Sequence, residues 1–235
     1  MTGTGSASPI TVTSLANGTT YTFTVTATNI NGNSSASSPS NSVTPFPVVT
    51  IPSLTGKIWM DRNLGASQVA TSSTDAASYG DLYQWGRAAD EHQIRTSGTT
   101  NLLSGADTPG HGNFIIISVS PHDWRSPQNT NLWQGVNGVN KPCPTGFRIP
   151  TEAELGEERG SWSSQNKAGA FASLKLPVAG RRSYTDGSLE VVGNIGLYWS
   201  SSMEVFSKYL IFTGSSCGMQ SDPNAYGLSV RCIKD

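Results

Sequence analysis

The last forty residues of the chain constrain its fold most, because they hold two well-specified strands with an unpatterned stretch between them. Residues 196–202 and 227–235 have the aromatic, β-branched composition and the alternation that are typical of strands. Residues 203–224 mix charge, bulk and polarity without a period. Leu210 and Phe212 nevertheless stay apolar and in step. The period of two in a strand therefore predicts that both point inward.

The residues predicted to face outward from this frame form the candidate ligand-contact set. Beside Leu210 and Phe212, the neighbours Tyr209, Ile211 and Thr213 are expected on the opposite side of the strand. Exposed methionine and aromatic side chains supply contact area at a modest cost in entropy. A solvated surface hairpin is the alternative interpretation. The candidate set is Met203, Glu204, Val205, Phe206, Ser207, Ile211, Thr213, Ser215, Ser216, Cys217, Gln220 and Asp222.

The frame behind this surface is predicted from the apolar residues of the flanking strands. Arg231 interrupts the last apolar strand, and we expect its guanidinium to pair with a carboxylate or with backbone carbonyls. Exposed substitutions usually change stability by about 0.5 kcal/mol or less, so variation of the outward set would cost the core little. The frame residues are Tyr198, Trp199, Leu210, Phe212, Tyr226, Leu228 and Val230.

Composition excludes several classes of partner. Charged residues make up 13% of the 235 residues and the formal net charge is −1, without a cluster of Lys and Arg, so we expect no nucleic-acid partner. No run of about 18 apolar residues occurs, and we expect no membrane insertion. Polarity comes from Ser, Thr, Asn and 25 Gly, which favours a loop-rich protein outside the cytoplasm. No signal peptide is visible, so the chain is either a fragment or exported by another route.

The three cysteines are an odd number and leave two interpretations open. If two of them form a disulfide, Cys143 with Cys232 is the favoured pair, because both occupy well-specified structural positions. Cys217 lies in the unpatterned stretch. The alternative is three buried thiols in a reducing compartment. No C-x-x-C motif is present, which argues against a cysteine zinc site.

The N-terminal residues predict a partial β-sandwich. Alternation over 10–28 predicts two strands joined by a turn at Asn17 and Gly18. Leu15 followed by Tyr21 is typical of a tyrosine corner. Together with the Ser-Pro-Ser-Asn-Ser-Val-Thr-Pro run that follows, this stretch resembles the C-terminal half of a fibronectin type III domain. We expect a partial domain at 1–46 with Met1 inside it, a Pro-marked linker at 47–53, and a second domain at 54–235.

The second domain has the pattern of an α+β fold. The expected elements are a first strand, then helices, then a run of strands. We expect these strands to form an antiparallel sheet with the helices packed on one side. Residues 88–142 are a long loop region, expected to be functional or held by its aromatic residues. A capping box from Thr151 to Glu154 marks one helix start. The expected elements are a strand at 57–64, helices at 75–87, from 151 and at 165–173, and strands at 174–180, 196–202, 207–213 and 226–233.

Five motifs in order carry a family resemblance. They are Thr-Gly-Lys-Ile-Trp-Met-Asp-Arg-Asn-Leu at 55–64, Tyr-Gly-Asp-Leu-Tyr-Gln-Trp-Gly-Arg at 79–87, Pro-Cys-Pro-Thr-Gly-Phe-Arg-Ile-Pro-Thr-Glu-Ala-Glu-Leu at 142–155, Tyr-Trp-Ser-Ser at 198–201 and Gly-Leu-Ser-Val-Arg-Cys at 227–232. They resemble the Fibrobacter succinogenes major paralogous domain, which implies a C-type lectin-like fold. The third motif is also similar to a signature of the formylglycine-generating enzyme group, with Leu155 in place of its Trp.

The C-terminal segment is similar to the variable proteins of diversity-generating retroelements. In those proteins adenine-directed mutagenesis rewrites codons for outward positions on a lectin-like fold. The resemblance implies that the candidate set is diversified. It also implies a ligand-binding, adhesion or receptor-recognition protein that is secreted or displayed on a cell or virion surface. Its partner would be a protein or glycan on another cell or host surface.

Specific residues bear on two rival functions, an enzyme and a calcium-dependent lectin. For an enzyme, His92, His111 and His122 lie in predicted loops without a metal-binding spacing, and Glu152, Glu154, Glu157 and Glu158 beside Arg159 are expected to form a solvated helix face. No counterpart of the formylglycine-generating cysteine pair was found. For a calcium-dependent lectin, Asp222-Pro223-Asn224 resembles a sugar-binding triplet, although these residue types favour a turn at this position. We expect no catalytic residue and no required cofactor, and leave open a structural calcium ion at Asp61, Asp75, Asp81 or Asp90.

Overall fold

A computed structural model describes residues 1–6, 10, 12–45 and 48–235 of the chain. The chain divides into two compact units, Met1–Val49 and Thr50–Asp235. Phe46 and Pro47, at the expected domain boundary, lie outside the described residues, as do 7–9 and 11 within the expected partial sandwich. Among the described residues, no helix has the length and apolar character needed to cross a lipid bilayer.

The first unit is an irregular hairpin without a buried core in its described part. Strands β1 (Thr28–Asn29) and β2 (Gly32–Asn33) pair antiparallel. The expected turn at Asn17 and Gly18 is present and Tyr21 pairs with Val43, while residue 11 of the first expected strand lies outside the described residues. The hydroxyl of Tyr21 accepts a hydrogen bond from the N–H of Ala16 at 2.9 Å, which is the type of contact made by a tyrosine corner.

The second unit is mixed, with two helices and several sheets that are mostly antiparallel, which agrees with the α+β class. Each sheet is small, and a parallel pair also occurs. In chain order the elements are β3 (Thr50–Pro52), β4 (Ile58–Met60), β5 (Tyr83–Gln84), β6 (Thr99–Thr100), β7 (Phe114–Ile115), β8 (Phe147–Arg148), α1 (Glu152–Gly160), α2 (Lys167–Leu174), β9 (Arg181–Arg182), β10 (Leu189–Glu190), β11 (Gly196–Met203), β12 (Ser207–Phe212), β13 (Cys217–Asp222), β14 (Gly227–Leu228) and β15 (Ile233–Lys234).

These strands form three antiparallel sheets and one parallel pair within the described residues of the second unit. The sheets have the orders β3-β4-β15-β8, β10-β9-β14-β5 and β11-β12-β13, and β6 pairs with β7. β3 lies in the expected linker, yet it pairs with β4 as a strand of the second unit. The central sheet, β11-β12-β13, carries most of the candidate site.

Both helices begin at side-chain caps. Thr151 accepts from the N–H of Glu154, and the Glu154 carboxylate accepts from the N–H of Thr151, so the predicted capping box is confirmed. The Asn166 side chain caps α2 by accepting from the N–H groups of Ala168 and Gly169. α2 ends at Leu174, and the C-cap residue Lys175 adopts a left-handed conformation with φ of 53°.

Three sequence predictions of regular structure in this unit are wrong. Residues 75–87 form only a single 3₁₀ turn at Ala76–Ser78 and later β5, because Gly80 and Gly86 adopt φ of 66° and 85°, which a helix does not permit. Residues 175–180 form no strand, because Lys175 and Gly180 at the two ends of this segment adopt left-handed φ values of 53° and 71°, and regular pairing starts only at β9. The expected strand at 226–233 is divided into β14 and β15.

The core lies on both sides of the central sheet. On one side, Leu155 and Trp162 of the α1 region and Leu174 of α2 pack on Leu210 and Phe212. On the other side a larger cluster surrounds Trp199 and Tyr209; its other members are Met60, Tyr83, Trp85, Trp133, Cys143, Phe147, Ile149, Leu197, Leu228, Val230 and Cys232. On β12, Leu210 and Phe212 therefore pack in one cluster, and their neighbour Tyr209 packs in the other.

The long loop region is held by buried indoles. Trp124 and Trp133 are 1% and 0% exposed. Trp124 donates its indole N–H to the carbonyl of Trp85 at 2.6 Å, and Trp133 donates to the carbonyls of Arg87 and Asn140. Each bond supplies a buried carbonyl with a partner while the ring fills core volume. The expectation that aromatic residues pin this region is met by these contacts.

Candidate ligand-binding face

The candidate site is one side of β12 and β13, the middle strand and one edge strand of the central sheet. In β12 and β13, register pairs Tyr209 with Gln220 and Ile211 with Gly218. These four residues share one side, which we call the groove face, and Leu210 and Phe212 point to the other side, toward the helices. The segment predicted to have no pattern thus contains a regular strand, β13.

A groove of about 420 Å³ runs along the groove face. Gln220 is exposed and Ile211 is half-buried, whereas Tyr209 is only 5% exposed and packs edge-on against Trp199 at 5.8 Å. Tyr209 was expected to point outward; it does lie on the outward side, but the second core cluster encloses most of its ring. The groove is lined by Tyr209, Ile211, Thr213, Ser216, Cys217, Gly218 and Gln220.

Thr213 closes the turn at one end of the groove. Its N–H donates to the carbonyl of Ser216 at 2.8 Å, and its hydroxyl accepts from the N–H groups of Ser215 and Ser216. Ser215 and Ser216 are exposed. Thr213 is therefore both a lining residue and the residue that shapes this turn.

A polar and aromatic cluster lies at the other end of β13. Arg181 donates to Glu190 at 2.7 Å and to Asp222 at 3.4 Å, and its guanidinium lies 4.2 Å from the centre of the Tyr226 ring. Tyr226 in turn meets Tyr184 edge-on at 4.5 Å. These contacts offer hydrogen-bonding groups and aromatic faces next to the groove.

The titration of this cluster follows from partial enclosure. Burial raises the pKa of Asp222, and the Tyr209 hydroxyl and the Arg181 guanidinium partly offset this by favouring the carboxylate. Burial and the charge of Asp222 raise the pKa of Tyr209. Tyr209 is therefore neutral throughout the physiological range, and its hydroxyl donates to the Asp222 carboxylate.

The hairpin tip, residues 204–206, combines two exposed residues with the half-buried Phe206. Val205 is 72% exposed. Glu204 is exposed as well and pairs with Lys208 at 3.0 Å, an ion pair in solvent that adds little stability. Met203 is half-buried against the core cluster that contains Tyr209. Substitution of Glu204 or Val205 therefore leaves the core intact.

Ser207 does not face the groove as expected, and Cys217 lines one edge of it while its thiol is directed elsewhere. Ser207 is fully buried, and its hydroxyl donates to the Asn224 side-chain oxygen at 2.6 Å. The Asn224 amide donates to Asp123 at 2.7 Å, so this chain of hydrogen bonds fastens the hairpin to the long loop. The side chain of Cys217 points toward the helix side, where its thiol lies 3.2 Å from the Gln165 oxygen.

Sequence reasoning missed four residues of the groove region. Gly218 was not noticed because a glycine has no side chain, and its role follows only from the register with Ile211. Arg181 reaches Asp222 from β9, and Tyr226, which was expected only in the frame, packs against Arg181; no local pattern reveals these contacts. Tyr209 was recognised as outward but not as a groove wall. Alternation along 218, 220 and 222 was the available signal.

Comparison of this chain with protein-family models, with curated proteins and with solved structures gives no match. The case for the site therefore depends on its own residues and geometry.

The histidines and acidic residues weighed as catalytic or metal-binding have other roles. His92 was expected in a solvated loop, but it is fully buried: its Nε2 accepts the N–H of Gln84, and its Nδ1 lies 2.5 Å from Asp90. Burial lowers the pKa of His92 to about 4, so the ring is neutral at physiological pH. The expected solvated run of glutamates is also wrong for Glu158, which is buried and accepts from Trp162 and Ser173.

The four aspartates that could hold a structural cation make separate contacts with different partners. Asp61 pairs with Arg62, Asp75 caps the 3₁₀ turn, and Asp90 pairs with Arg87. Within residues 1–6, 10, 12–45 and 48–235, no three His, Cys, Asp or Glu side chains converge as a metal site would need. Asp81 lies beside Gly65, where a side chain on residue 65 would collide with it.

Proposed function

We propose that this chain is a non-catalytic ligand-binding protein whose groove face and hairpin tip recognise a protein or glycan on another cell or host surface. The observation that carries the proposal is that alternate side chains of β12 have different surroundings. Leu210 and Phe212 are 0% exposed among the helices, while Ile211 on the other side lines an open groove. A frame that is complete without the groove side chains leaves those side chains free for recognition.

We also propose that the second unit is a C-type lectin-like domain of the type found in variable proteins of diversity-generating retroelements. Two helices against one side of an antiparallel sheet, with long loops held by tryptophans, support this reading. A nearby near-copy of the 3′ coding segment that differs mainly at adenines is the expected genomic signature. A complete genome without such a copy would remove the retroelement part of the proposal and leave the binding part.

A secreted, cell-surface or virion-surface location is proposed on the same grounds. Cys143 and Cys232, the pair favoured by the sequence, are joined by a disulfide with a Cα–Cα distance of 5.9 Å. Structural disulfides form and persist mainly in oxidising compartments. Both cysteines are enclosed in the core, at 6% and 0% exposed, so the bond belongs to the folded frame.

Calcium-dependent sugar binding is less well supported by the partners of the relevant residues. Asp222 pairs with Arg181, and Asn224 is 2% exposed with its amide committed to Asp123 and its oxygen to Ser207. A lectin site needs these oxygens directed at a shared cation. Catalysis by His92 is disfavoured because its ring is enclosed.

The test is a binding screen with the whole chain and matched surface variants. The chain is applied to a glycan array and to a displayed library of cell-surface proteins, with and without a calcium chelator. Ser216→Arg and Gln220→Arg place charge in the groove at exposed residues, and Val139→Arg places the same charge at a site that is 79% exposed and does not line the groove. We expect a ligand whose binding falls at least tenfold for the two groove variants only.

Three results would contradict the proposal. A ligand that binds all three variants equally would place recognition elsewhere. Binding abolished by the chelator would favour the calcium-dependent lectin. Turnover of any substrate that one polar substitution abolishes would favour an enzyme.

A further inference from the structure

The outer edge of β13 is an unpaired edge of the central sheet. β13 is the last strand in the order β11-β12-β13, and among the described residues it is hydrogen-bonded as a strand to β12 alone. An edge strand presents a row of N–H and carbonyl groups without partners and can template another strand. The position of this edge beside the groove makes it relevant to recognition.

The register decides which backbone groups point outward. The N–H of Thr213 donates to the carbonyl of Ser216, which closes the hairpin with a hydrogen-bonded pair. Antiparallel pairs alternate, so the backbones of Gly218 and Gln220 bond to β12. The backbones of Met219 and its alternate neighbours, Cys217 and Ser221, then face the outer edge. The carbonyl of Lys208, opposite Ser221, accepts instead from Ser200 of β11, as this register requires.

The edge lacks the usual features that prevent strand addition. Natural edge strands are protected by lysine, proline, inward charges or bulges. The edge sequence Cys-Gly-Met-Gln-Ser at 217–221 contains none of these residue types, and charge and proline come only at Asp222 and Pro223, where the strand ends. The register with β12 is continuous from Cys217 to Asp222, without a bulge.

Gly218 opens the groove toward this edge. A Cβ atom built on Gly218 would meet nothing within 4 Å, so the space above it is empty. Ile211 and Tyr209 stand on the next strand and line the same groove. On an added strand, the residue directly opposite Gly218 would place its side chain in this space, against one aliphatic and one aromatic wall. An apolar side chain fits that position.

We propose that the ligand of the groove face is an extended segment of a partner protein, which adds to β13 as a fourth strand and places an apolar side chain over Gly218. This inference rests on the proposed function and narrows its ligand to a polypeptide. Main-chain hydrogen bonds supply affinity and the Gly218 position supplies selectivity, the mode known as β-strand addition. A second copy of the chain fits less well, because symmetric antiparallel pairing about Met219 brings Gln220 opposite Gly218.

The experiment uses the whole chain and a phage-displayed library of random linear dodecapeptides as the probe. Met219→Pro removes an outward N–H without removing a bond to β12, and Met219→Ala is its matched control, which loses the same side chain but keeps the N–H. Gly218→Trp fills the groove at a residue whose backbone accepts a side chain. Thermal unfolding of each variant checks that the fold persists, and amide exchange is measured with and without peptide.

The expected result is a set of peptides that share one apolar position. Their binding should fall at least tenfold for Met219→Pro and for Gly218→Trp but less than threefold for Met219→Ala. Peptide binding should also slow exchange of the Cys217, Met219 and Ser221 amides. If Met219→Pro does not fold, Gly218→Trp and the exchange measurement decide the matter.

Other outcomes overturn this inference without touching the broader proposal. Enriched peptides that bind Met219→Pro as well as the parent, or no enrichment at all, would exclude strand addition. A glycan that binds and loses affinity in Gln220→Arg would keep the groove face as a binding site with a different class of ligand. A concentration-dependent dimer abolished by Met219→Pro would assign the edge to self-association.

Discussion

Arg231 joins three chain segments although it interrupts an apolar stretch between β14 and β15. It is 1% exposed, and it donates to the Asn63 side chain at 2.9 Å, to the carbonyl of Met60 at 3.1 Å and to that of Leu174 at 2.6 Å. Burial lowers the pKa of Arg231 to about 10, so the group stays charged at physiological pH. The sequence predicted either a carboxylate or backbone carbonyls as partners of Arg231. In the structure the partners are backbone carbonyls together with the side-chain oxygen of Asn63.

Replacement of Arg231 by methionine should destabilise the fold by about 3 kcal/mol or more. Methionine fills similar volume but leaves the buried oxygens of Asn63, Met60 and Leu174 without their donor, and an unsatisfied buried acceptor is costly. Urea unfolding at neutral pH measures the effect. Lys234→Met, which removes an exposed cation, is the control and should stay within about 0.5 kcal/mol. Equal stability of the two variants would show that the guanidinium network contributes nothing.

At the scale of elements, the first turn of α1 carries a pH-dependent contribution. Glu154 forms two short hydrogen bonds with Arg148, at 2.7 and 2.6 Å, and accepts from the N–H of Thr151. The Arg148 guanidinium is the main cause that lowers the pKa of Glu154 to about 2, and the Thr151 bond adds to it. The folded state therefore binds this proton less readily than the unfolded chain.

Glu154→Gln should lower the free energy of unfolding by about 1 to 2 kcal/mol at pH 7, a modest value because solvent screens the partly exposed pair. A lowered carboxyl pKa gives stability that is complete above the ordinary value of 4.5 and is lost as pH falls toward about 2. The gap between parent and variant should therefore shrink below pH 4.5. Urea unfolding at several pH values between 2.5 and 7 checks this. A gap that is constant with pH would contradict the assignment.

The elements that the sequence predicted well are those fixed by local chemistry. The start of α1 depends on Thr151 and Glu154, which are neighbours in the chain. The helix expected at 75–87 failed for the opposite reason. Its apolar residues, such as Leu82 and Trp85, are buried because the irregular chain is enclosed on all sides. Their near-helical spacing does not distinguish such a buried irregular segment from an amphipathic helix.

The candidate site was predictable only in part, for a related reason. β12 was recognised because Leu210 and Phe212 face a fully apolar cluster. β13 was not recognised, since Met219 packs only partly against that cluster and Gly218 faces an open groove, which leaves little contrast between the two sides. The burial of Ser207 depends on Asn224 and a distant loop, which no strand period encodes.

At the scale of the whole molecule, the disulfide closes the second unit from loop to C-terminus. Cys143 and Cys232 are 89 residues apart, so the bond removes much of the freedom of the unfolded chain. By loop-closure entropy it should contribute about 4 to 5 kcal/mol. The double variant Cys143→Ala with Cys232→Ala should lose an amount of this order in urea unfolding, and Cys217→Ala should lose about 1 kcal/mol or less. Equal losses would show that the cross-link is not important for stability.

The account depends on the independence of the groove face from the frame that carries it. The direct measurement compares two displayed libraries of the whole chain by sequencing the variants that survive limited proteolysis. One library is randomised at the groove-lining residues Ile211, Ser216 and Gln220, and the other at Leu210 and Phe212. We predict that most variants of the first library survive with varied side chains, and that survivors of the second are nearly all large and apolar. Equal restriction in the two libraries would contradict the account.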